Sequence, residues 1–151
     1  AFLFLLSGYH LWGFDLRSDD TPIEANLGFL CRKDGITYKG KSVVQQQQQD
    51  GIRKRLVYLT LKEKGIPLWG LEAVYRNNEV VGHLRRGEWA YTLDCALGQC
   101  YIKRRNSDKP INIDYIKSGK YQIEVMGKLY DADIHLRSPF DPKGLRIMGE
   151  Y

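Results

Sequence analysis

The sequence predicts a mainly β fold, in which an antiparallel barrel or sandwich of short strands follows a partly helical beginning. After Gly51 the apolar residues alternate with polar ones, which is the period of a strand. Two short loops, Asn77-Asn78 and Gly127-Lys128, lie between strand-like stretches and are of types that favour hairpins. The 151 residues are 43% hydrophobic and 27% charged, which is the composition of a globular protein and excludes disorder.

The chain opens with six nearly all apolar residues that end at Ser7-Gly8. The run has no basic flank, unlike a signal peptide, and it is far shorter than the roughly 18 residues of a membrane span. We therefore expect no membrane partner. We interpret the run as part of a folded element that begins upstream of the sequence given.

Turn residues and one capping pattern organise the stretch that follows. Thr21 is placed to cap a short helix that starts at Pro22 and has Glu24 in its first turn. Residues 26–31 read as a short strand, and residues 32–35 as a turn.

A helix is predicted from Lys41 to about Asp50, ended by Gly51. Residues 35–42 match the phosphate-loop pattern GxxxxGK[ST] letter for letter. However, no long buried strand precedes them, and the rest of the chain is not the parallel sheet of a nucleotide-binding fold. The pattern therefore favours a helix-entry turn over a nucleotide site.

The second part of the chain consists of short strands joined by turns and polar loops, which is typical of an antiparallel barrel or sandwich. The strand-like stretches are residues 56–61, 72–76, 79–84, 90–93, 97–102, 121–125 and 129–136. The tail, residues 138–151, contains two prolines and is expected to be extended.

The chemistry-bearing residues form no recognisable catalytic or metal-binding set. The three histidines are far apart in the sequence and are interpreted as partly buried hydrogen-bonded residues, and no GxSxG elbow is present. Three cysteines without a CxxC pair favour neither a disulfide scaffold nor a zinc site, and they fit a reducing compartment. We predict no catalytic residue and no metal ligand in this chain.

The formal net charge of +5 allows an anionic partner without requiring one. Basic clusters at residues 53–55, 85–86 and 103–105 lie near several tyrosines, so a barrel that binds single-stranded nucleic acid is one alternative. Acidic residues are interspersed among them, which favours solvated strand ends. We expect no nucleic-acid partner.

Several motifs resemble those of the aminomethyltransferase family. Residues 9–16, YHLWGFDL, and residues 20–29, DTPIEANLGF, are similar to the family's G-Y-x-x-W-x-x-D-L…T/S-P-x-E-A-G-L-x-F stretch. YKGK at 38–41 falls at the family's F-x-G-K/R turn, and RKRLV at 53–57 matches the strand that opens its C-terminal barrel. The family comprises the glycine-cleavage T-protein and folate modules fused to flavin-dependent dehydrogenases of N-methylated glycines. Residues 70–77, 80–86 and 136–142 resemble the C-terminal segment of such a dehydrogenase.

The resemblance implies a division of the chain into three parts. Residues 1–52 would be the C-terminal remnant of an α/β folate-binding domain. Residues 53–142 would form a Greek-key antiparallel β-barrel of about six strands, and residues 143–151 a tail.

The implied activity is oxidative demethylation of sarcosine to glycine, with transfer of the one-carbon unit to tetrahydrofolate in the mitochondrial matrix. The FAD and the catalytic carboxylate would belong to upstream flavin and folate domains of the parent chain, so this chain alone is expected to be inactive and free of flavin. A non-catalytic regulatory or structural module of the same family is the alternative.

Three residues are candidate folate contacts on the strength of the resemblance. Arg55, at the barrel entrance, offers a planar fork to a carboxylate tail, and Tyr9 and Trp12 could wall the folate channel. An exposed strand position for Arg55 and a core role for the two aromatics are the alternatives. Leu6 stands where the family has a glutamate that holds the pterin ring. Either folate binding is lost, or residues 1–7 come from an alternative or mispredicted exon, which the abrupt start of the resemblance at Gly8 favours.

Overall fold

The computed structural model describes residues 2–31, 35–105, 107–146 and 148–150. Six antiparallel strands close into a barrel in the order β1-β4-β3-β2-β5-β6, which confirms the predicted mainly β fold. The strands are β1 (Lys54–Leu61), β2 (Ala73–Arg76), β3 (Glu79–Ala90), β4 (Cys95–Lys103), β5 (Tyr121–Val125) and β6 (Lys128–His135). The turn predicted at 32–35 has its first three residues outside the described part of the chain.

The strand order is that of a Greek key. β2, β3 and β4 follow one another as neighbours, while β1 connects to β2 by a long loop and lies between β4 and β6. Since β6 pairs with β1, every strand has a hydrogen-bonded neighbour on both sides, and the sheet has no free edge.

The two predicted hairpins both form, one of them shifted by a residue. Asn77 and Asn78 have φ of +48° and +68°, as a type I′ turn requires. In the second hairpin the left-handed pair is Met126 and Gly127, and Val125 pairs with Lys128. Lys128 is therefore the first residue of β6 and does not belong to the loop.

The strand predicted at residues 90–93 is wrong. β3 continues to Ala90, and the following residues form the turn into β4, in which the Leu93 amide donates to the Ala90 carbonyl (2.9 Å). The polar run at residues 85–88 obscured the length of β3, because its two arginines pair with carboxylates of the protein.

Within the described residues, three α-helices accompany the barrel. The predicted α2 (Lys41–Asp50) forms between Gly40 and Gly51, whose positive φ values mark its two ends. The apolar opening forms α1 (Phe2–Ser7). A third helix, α3 (Ile113–Lys117), was not predicted; the Asn112 side chain caps it by accepting the Tyr115 amide (2.9 Å).

The predicted cap at Thr21 forms, but the helix that should follow it does not. The Thr21 hydroxyl accepts the Glu24 amide (3.3 Å), and the Glu24 carboxylate accepts the Thr21 amide (3.0 Å). The turn ends at Asn26, whose φ of +61° cannot continue a right-handed helix. Residues 26–31, predicted as a strand, instead contain the 3-10 turn Gly28–Leu30.

The barrel buries side chains on both its faces. Its interior is an apolar cluster to which the strands contribute. Part of its outer face is covered by residues 2–27, here called the N-terminal segment: Leu5 and Leu6 pack with Tyr58 and Leu97. The main interior residues are Val57, Leu59, Leu61, Val74, Leu84, Cys100, Ile102, Ile123 and Val125.

The tail is folded back and is not the extended loop that was predicted. Phe140 packs against the cluster of Leu5 and Leu6, and the Ser138 hydroxyl donates to the Leu6 carbonyl. The Asp141 carboxylate accepts two backbone amides of the turn that follows. Within the described residues, no helix has the length and apolar character that crossing a membrane requires.

Candidate ligand-binding cleft

A cleft of about 710 Å³ opens where the N-terminal segment, β1 and the tail meet. Its lining is mixed, with aromatic and aliphatic walls and a few polar groups, as in many small-molecule sites. The residues that matter below are Tyr9, His10, Asn26, Arg55, Tyr58 and Asp141.

Arg55 is a partly buried cation of the cleft, and it has no counter-ion among the described residues. It lies on β1 and is partly buried, and its Nε donates to the Asn26 Oδ1 (2.9 Å). Among the described residues, no hydrogen bond or ion pair reaches its two terminal nitrogens. Burial lowers the pKa of the guanidinium, which nevertheless stays charged at neutral pH. A partly buried, permanently charged fork that lacks an anion is suited to binding a carboxylate or phosphate.

Asn26 holds this arginine in place. Its Nδ2 donates to the carbonyl of Leu56 (2.8 Å), with a longer contact to that of Leu136 (3.4 Å), so the amide bridges β1 and the residue that follows β6. Those bonds direct the amide oxygen at Arg55.

A hydrogen-bonded chain of neutral groups borders the cleft. The buried Gln99 amide lies 3.3 Å from both the Tyr58 hydroxyl and the His10 Nδ1, and the Tyr58 hydroxyl donates to the Gly8 carbonyl (3.4 Å). Burial raises the pKa of Tyr58 to about 12 and lowers that of His10. Both groups are therefore neutral near pH 7.

The predicted histidine environments are confirmed for two of the three residues. His10 belongs to this chain of polar groups, and His135 contacts the Thr60 hydroxyl (2.9 Å). His83, in contrast, is exposed.

Beside the cleft, three cations bind carboxylates of the N-terminal segment. Lys54 Nζ and Arg85 contact the buried Asp20 carboxylate at 2.7 and 3.1 Å, and Arg86 contacts the fully buried Asp15 at 3.2 Å. A register shift between Leu84 and Arg86 marks a bulge in β3. Arg85 and Arg86, at this bulge, both form ion pairs with the N-terminal segment.

The interpretation of residues 85–86 as a solvated strand end is therefore wrong. These positive charges are paired with carboxylates within the protein.

Two of the three predicted folate contacts lie at the cleft, and the third does not. Arg55 and Tyr9 both line the cleft, whereas Trp12 is not among its lining residues and is 74% exposed. Leu6 is 3% exposed and packs onto the barrel. The sequence reasoning missed Asn26 and Tyr58 as cleft residues, because both act through contacts with residues distant in the chain.

The described residues offer no group of three or more His, Cys, Asp or Glu side chains that could hold a metal ion. The phosphate-loop pattern is a helix entry: Gly40, with φ of +85°, precedes α2, and the Lys41 ammonium donates to the Ile36 carbonyl (2.9 Å).

Comparison with known proteins identifies the family to which this barrel belongs. Residues 54–141 match the model of the glycine cleavage T-protein C-terminal barrel domain. The chain therefore belongs to that family. It is 43% identical to mitochondrial sarcosine dehydrogenase from Mus musculus over 145 residues, and 34% identical to the aminomethyltransferase of Bacillus subtilis over 131 residues.

These relatives are longer than the chain. The matches cover 95% and 86% of this chain, but 16% of the sarcosine dehydrogenase and 33% of the aminomethyltransferase. Among solved structures, the aminomethyltransferase of the glycine cleavage system from Bartonella henselae superposes with a TM-score of 0.74. That match has 20% identity and covers 89% of this chain and 36% of the other, which supports the fold.

Proposed function

We propose that this chain is the C-terminal part of the folate module of a flavoenzyme similar to sarcosine dehydrogenase, and that its cleft is one wall of the tetrahydrofolate site. The observation that carries the proposal is Arg55, a partly buried guanidinium at the cleft with no anion in the described part of the chain. The 43% identity over 95% of the chain supports the assignment to a sarcosine dehydrogenase over an aminomethyltransferase.

The proposed reaction is oxidative demethylation of sarcosine to glycine, with transfer of the one-carbon unit to tetrahydrofolate. FAD supplies the electron sink when bound, and we assign its binding to the upstream part of the parent chain. The residues described here bind and orient: Arg55 holds a carboxylate, and Tyr9 with the apolar wall limits access of water.

The cleft fits one end of tetrahydrofolate and not the other. The carboxylate tail matches the free fork of Arg55. The pterin ring needs an acceptor for its amino and imino groups, but Leu6 is apolar and buried, and the Asp141 carboxylate already accepts the amides of Leu145 and Arg146. Pterin recognition is therefore assigned to the upstream half of the folate domain.

The wider setting follows from the relatives. Mitochondrial sarcosine dehydrogenases point to a mitochondrial protein, and we place it in the matrix, with upstream flavin and folate domains as intramolecular partners and sarcosine as substrate. The division into residues 1–52, 53–142 and 143–151 stays a prediction.

A non-catalytic module of the same family is the second candidate. The observation that favours it is Leu6, an apolar residue at the position where the family motif has the pterin-holding glutamate. Both candidates have the same barrel, so the decision between them depends on one-carbon transfer.

A chimera tests the proposal in a complete enzyme. This chain replaces the corresponding C-terminal segment of mouse sarcosine dehydrogenase, and sarcosine oxidation and methylenetetrahydrofolate formation are measured separately. We expect both activities, and we expect Arg55→Ala to raise the KM for tetrahydrofolate about tenfold without slowing sarcosine oxidation, since charged hydrogen bonds contribute about 1.5–3 kcal/mol.

Three results would count against the proposal. A chimera that oxidises sarcosine without forming methylenetetrahydrofolate identifies a non-catalytic module. An unchanged KM in the Arg55→Ala chimera removes Arg55 from the site. Micromolar binding of tetrahydrofolate by the chain alone, measured by calorimetry, places the whole pocket within the chain and contradicts the proposed upstream pterin site.

A further inference from the structure

We propose that Asn26 is a specificity-determining positioning residue, which restricts Arg55 to end-on recognition of a ligand carboxylate. The inference rests on the proposed function, because it assumes that the cleft receives the carboxylate tail of a folate. The proposed function requires only that Arg55 binds a carboxylate. The role of Asn26 specifies in addition which nitrogens of Arg55 bind it.

The geometry follows from which nitrogens of Arg55 are occupied. A guanidinium can bind a carboxylate side-on, through Nε and one terminal nitrogen, or end-on, through its two terminal nitrogens. The Asn26 Oδ1 already accepts the Nε proton at 2.9 Å. The side-on mode is blocked, and the free fork presents the two terminal nitrogens.

Two features make Asn26 suited to this role. Its φ of +61° lies in the left-handed region, where glycine and asparagine are the residues most readily accommodated. Its Nδ2 is fixed by the Leu56 carbonyl, so the amide cannot rotate its oxygen away from Arg55 without losing that bond.

The family motif that residues 20–29 resemble has glycine at this position. Glycine would satisfy the backbone equally well, but it has no side chain to hold Nε. The asparagine therefore meets the conformational requirement and adds an oriented acceptor.

The experiment uses the full chain labelled with ¹⁵N and titrated with 4-aminobenzoylglutamate, the tail portion of folates, by NMR. The Arg55 Nε–H resonance and its exchange with water report the Asn26 bond, and the titration gives Kd. In the wild-type protein we expect slow exchange and saturable binding. Arg55→Ala should abolish binding.

Two variants separate orientation from charge. Asn26→Gly should accelerate exchange of the Arg55 Nε–H and weaken binding about tenfold, because both binding modes become open and the fork is no longer held. Asn26→Asp keeps an acceptor on Nε but supplies a counter-ion, so exchange should stay slow while binding is lost. Asn78→Gly, a left-handed asparagine in the β2–β3 turn, is the matched control and should leave both readouts unchanged.

The outcomes distinguish this inference from the proposed function. Wild-type binding that Arg55→Ala abolishes and Asn26→Gly leaves unchanged overturns the role of Asn26 alone. No binding by the wild-type chain, or binding unaffected by Arg55→Ala, overturns the assignment of the cleft to a folate tail and this inference with it. Resonance dispersion in each spectrum verifies that the variants are folded.

Discussion

At the scale of single residues, the clearest feature is the pairing of charges between the N-terminal segment and the barrel. The Asp20 side chain is fully buried, yet it accepts hydrogen bonds from Lys54, from Arg85 and from the backbone amide of Arg17. Burial acts to raise the pKa of Asp20, but these bonds and charges outweigh it and hold that pKa below its usual value of 3.8.

The sign of this shift gives a pH-dependent prediction. A carboxyl group whose pKa is lower in the folded than in the unfolded state stabilises the fold above about pH 4 and loses that contribution as the pH falls through its folded pKa. Asp20→Asn should lower the free energy of unfolding by about 2–3 kcal/mol at pH 7, and the difference from wild type should shrink steadily as the pH falls below about 4. Urea denaturation at pH 7 and at a series of lower pH values measures it.

Asp133→Asn is the matched control. Asp133 pairs with Lys62 at 3.1 Å, but both side chains are more than half exposed, so its loss should cost less than about 1 kcal/mol. An Asp20 variant as stable as this control at pH 7 would show that the buried carboxylate does not hold the segment to the barrel.

At the scale of elements, the closeness of β3 and β4 depends on Gly82. A Cβ at this position would lie 2.4 Å from the Tyr101 carbonyl oxygen, which belongs to the backbone of β4. Because that oxygen cannot move without displacing the strand, the site requires glycine.

Gly82→Ala should therefore destabilise the protein by about 2 kcal/mol or more. Gly35→Ala is the control, since a Cβ there meets nothing within 4 Å. Thermal unfolding followed by circular dichroism should show a lower Tm for the first variant and little change for the second. Equal melting temperatures for the two variants would mean that β4 can shift to accommodate a methyl group at position 82.

The sequence revealed elements well where the determining residues are local. α2 between two glycines, the Asn77-Asn78 turn and the Thr21 cap were all predictable, because each depends on neighbouring residues. The length of β3 and the end of the turn at Asn26 were not. Both depend on contacts with residues far away in the sequence, namely carboxylates of the N-terminal segment for β3 and the carbonyl of Leu56 for Asn26.

The candidate site shows the same limit. Arg55 and Tyr9 could be named from motifs, and both line the cleft. Their neighbours Asn26 and Tyr58 could not, since a hydrogen bond between residues 26 and 55 has no signature in either stretch. Trp12, named on the same resemblance as Tyr9, lies outside the cleft.

At the scale of the whole molecule, the N-terminal segment and the barrel form one packed unit. Leu56 and Tyr101 on the barrel's outer face pack with Ala25, and Tyr58 and Leu97 pack with Leu5 and Leu6. A boundary between residues 52 and 53 would therefore cut through a buried surface, even though it coincides with a change in the sequence pattern.

Residues 53–142 produced alone should be markedly less stable than the full chain. Removing the segment exposes Leu56, Tyr58 and Leu97, at about 1.5–3 kcal/mol for each large apolar side chain, and leaves Lys54 and Arg86 without their carboxylates. The midpoints of urea unfolding are compared for residues 53–142 and residues 1–142. Both fragments lack the last nine residues, so they differ only in residues 1–52. Equal midpoints for the two would show that the barrel does not need its cover.

The way in which the segment is attached has a consequence for how reversibly it is held. Its contacts with the barrel are mostly made by side chains, through ion pairs and apolar packing, while the barrel strands are joined by backbone pairing. In the language of binding, it is a ligand that remains tethered to its receptor by the chain. Opening the wall of the cleft that contains Tyr9 and Asn26 would therefore break these ion pairs and apolar contacts but none of the strand pairing of the barrel.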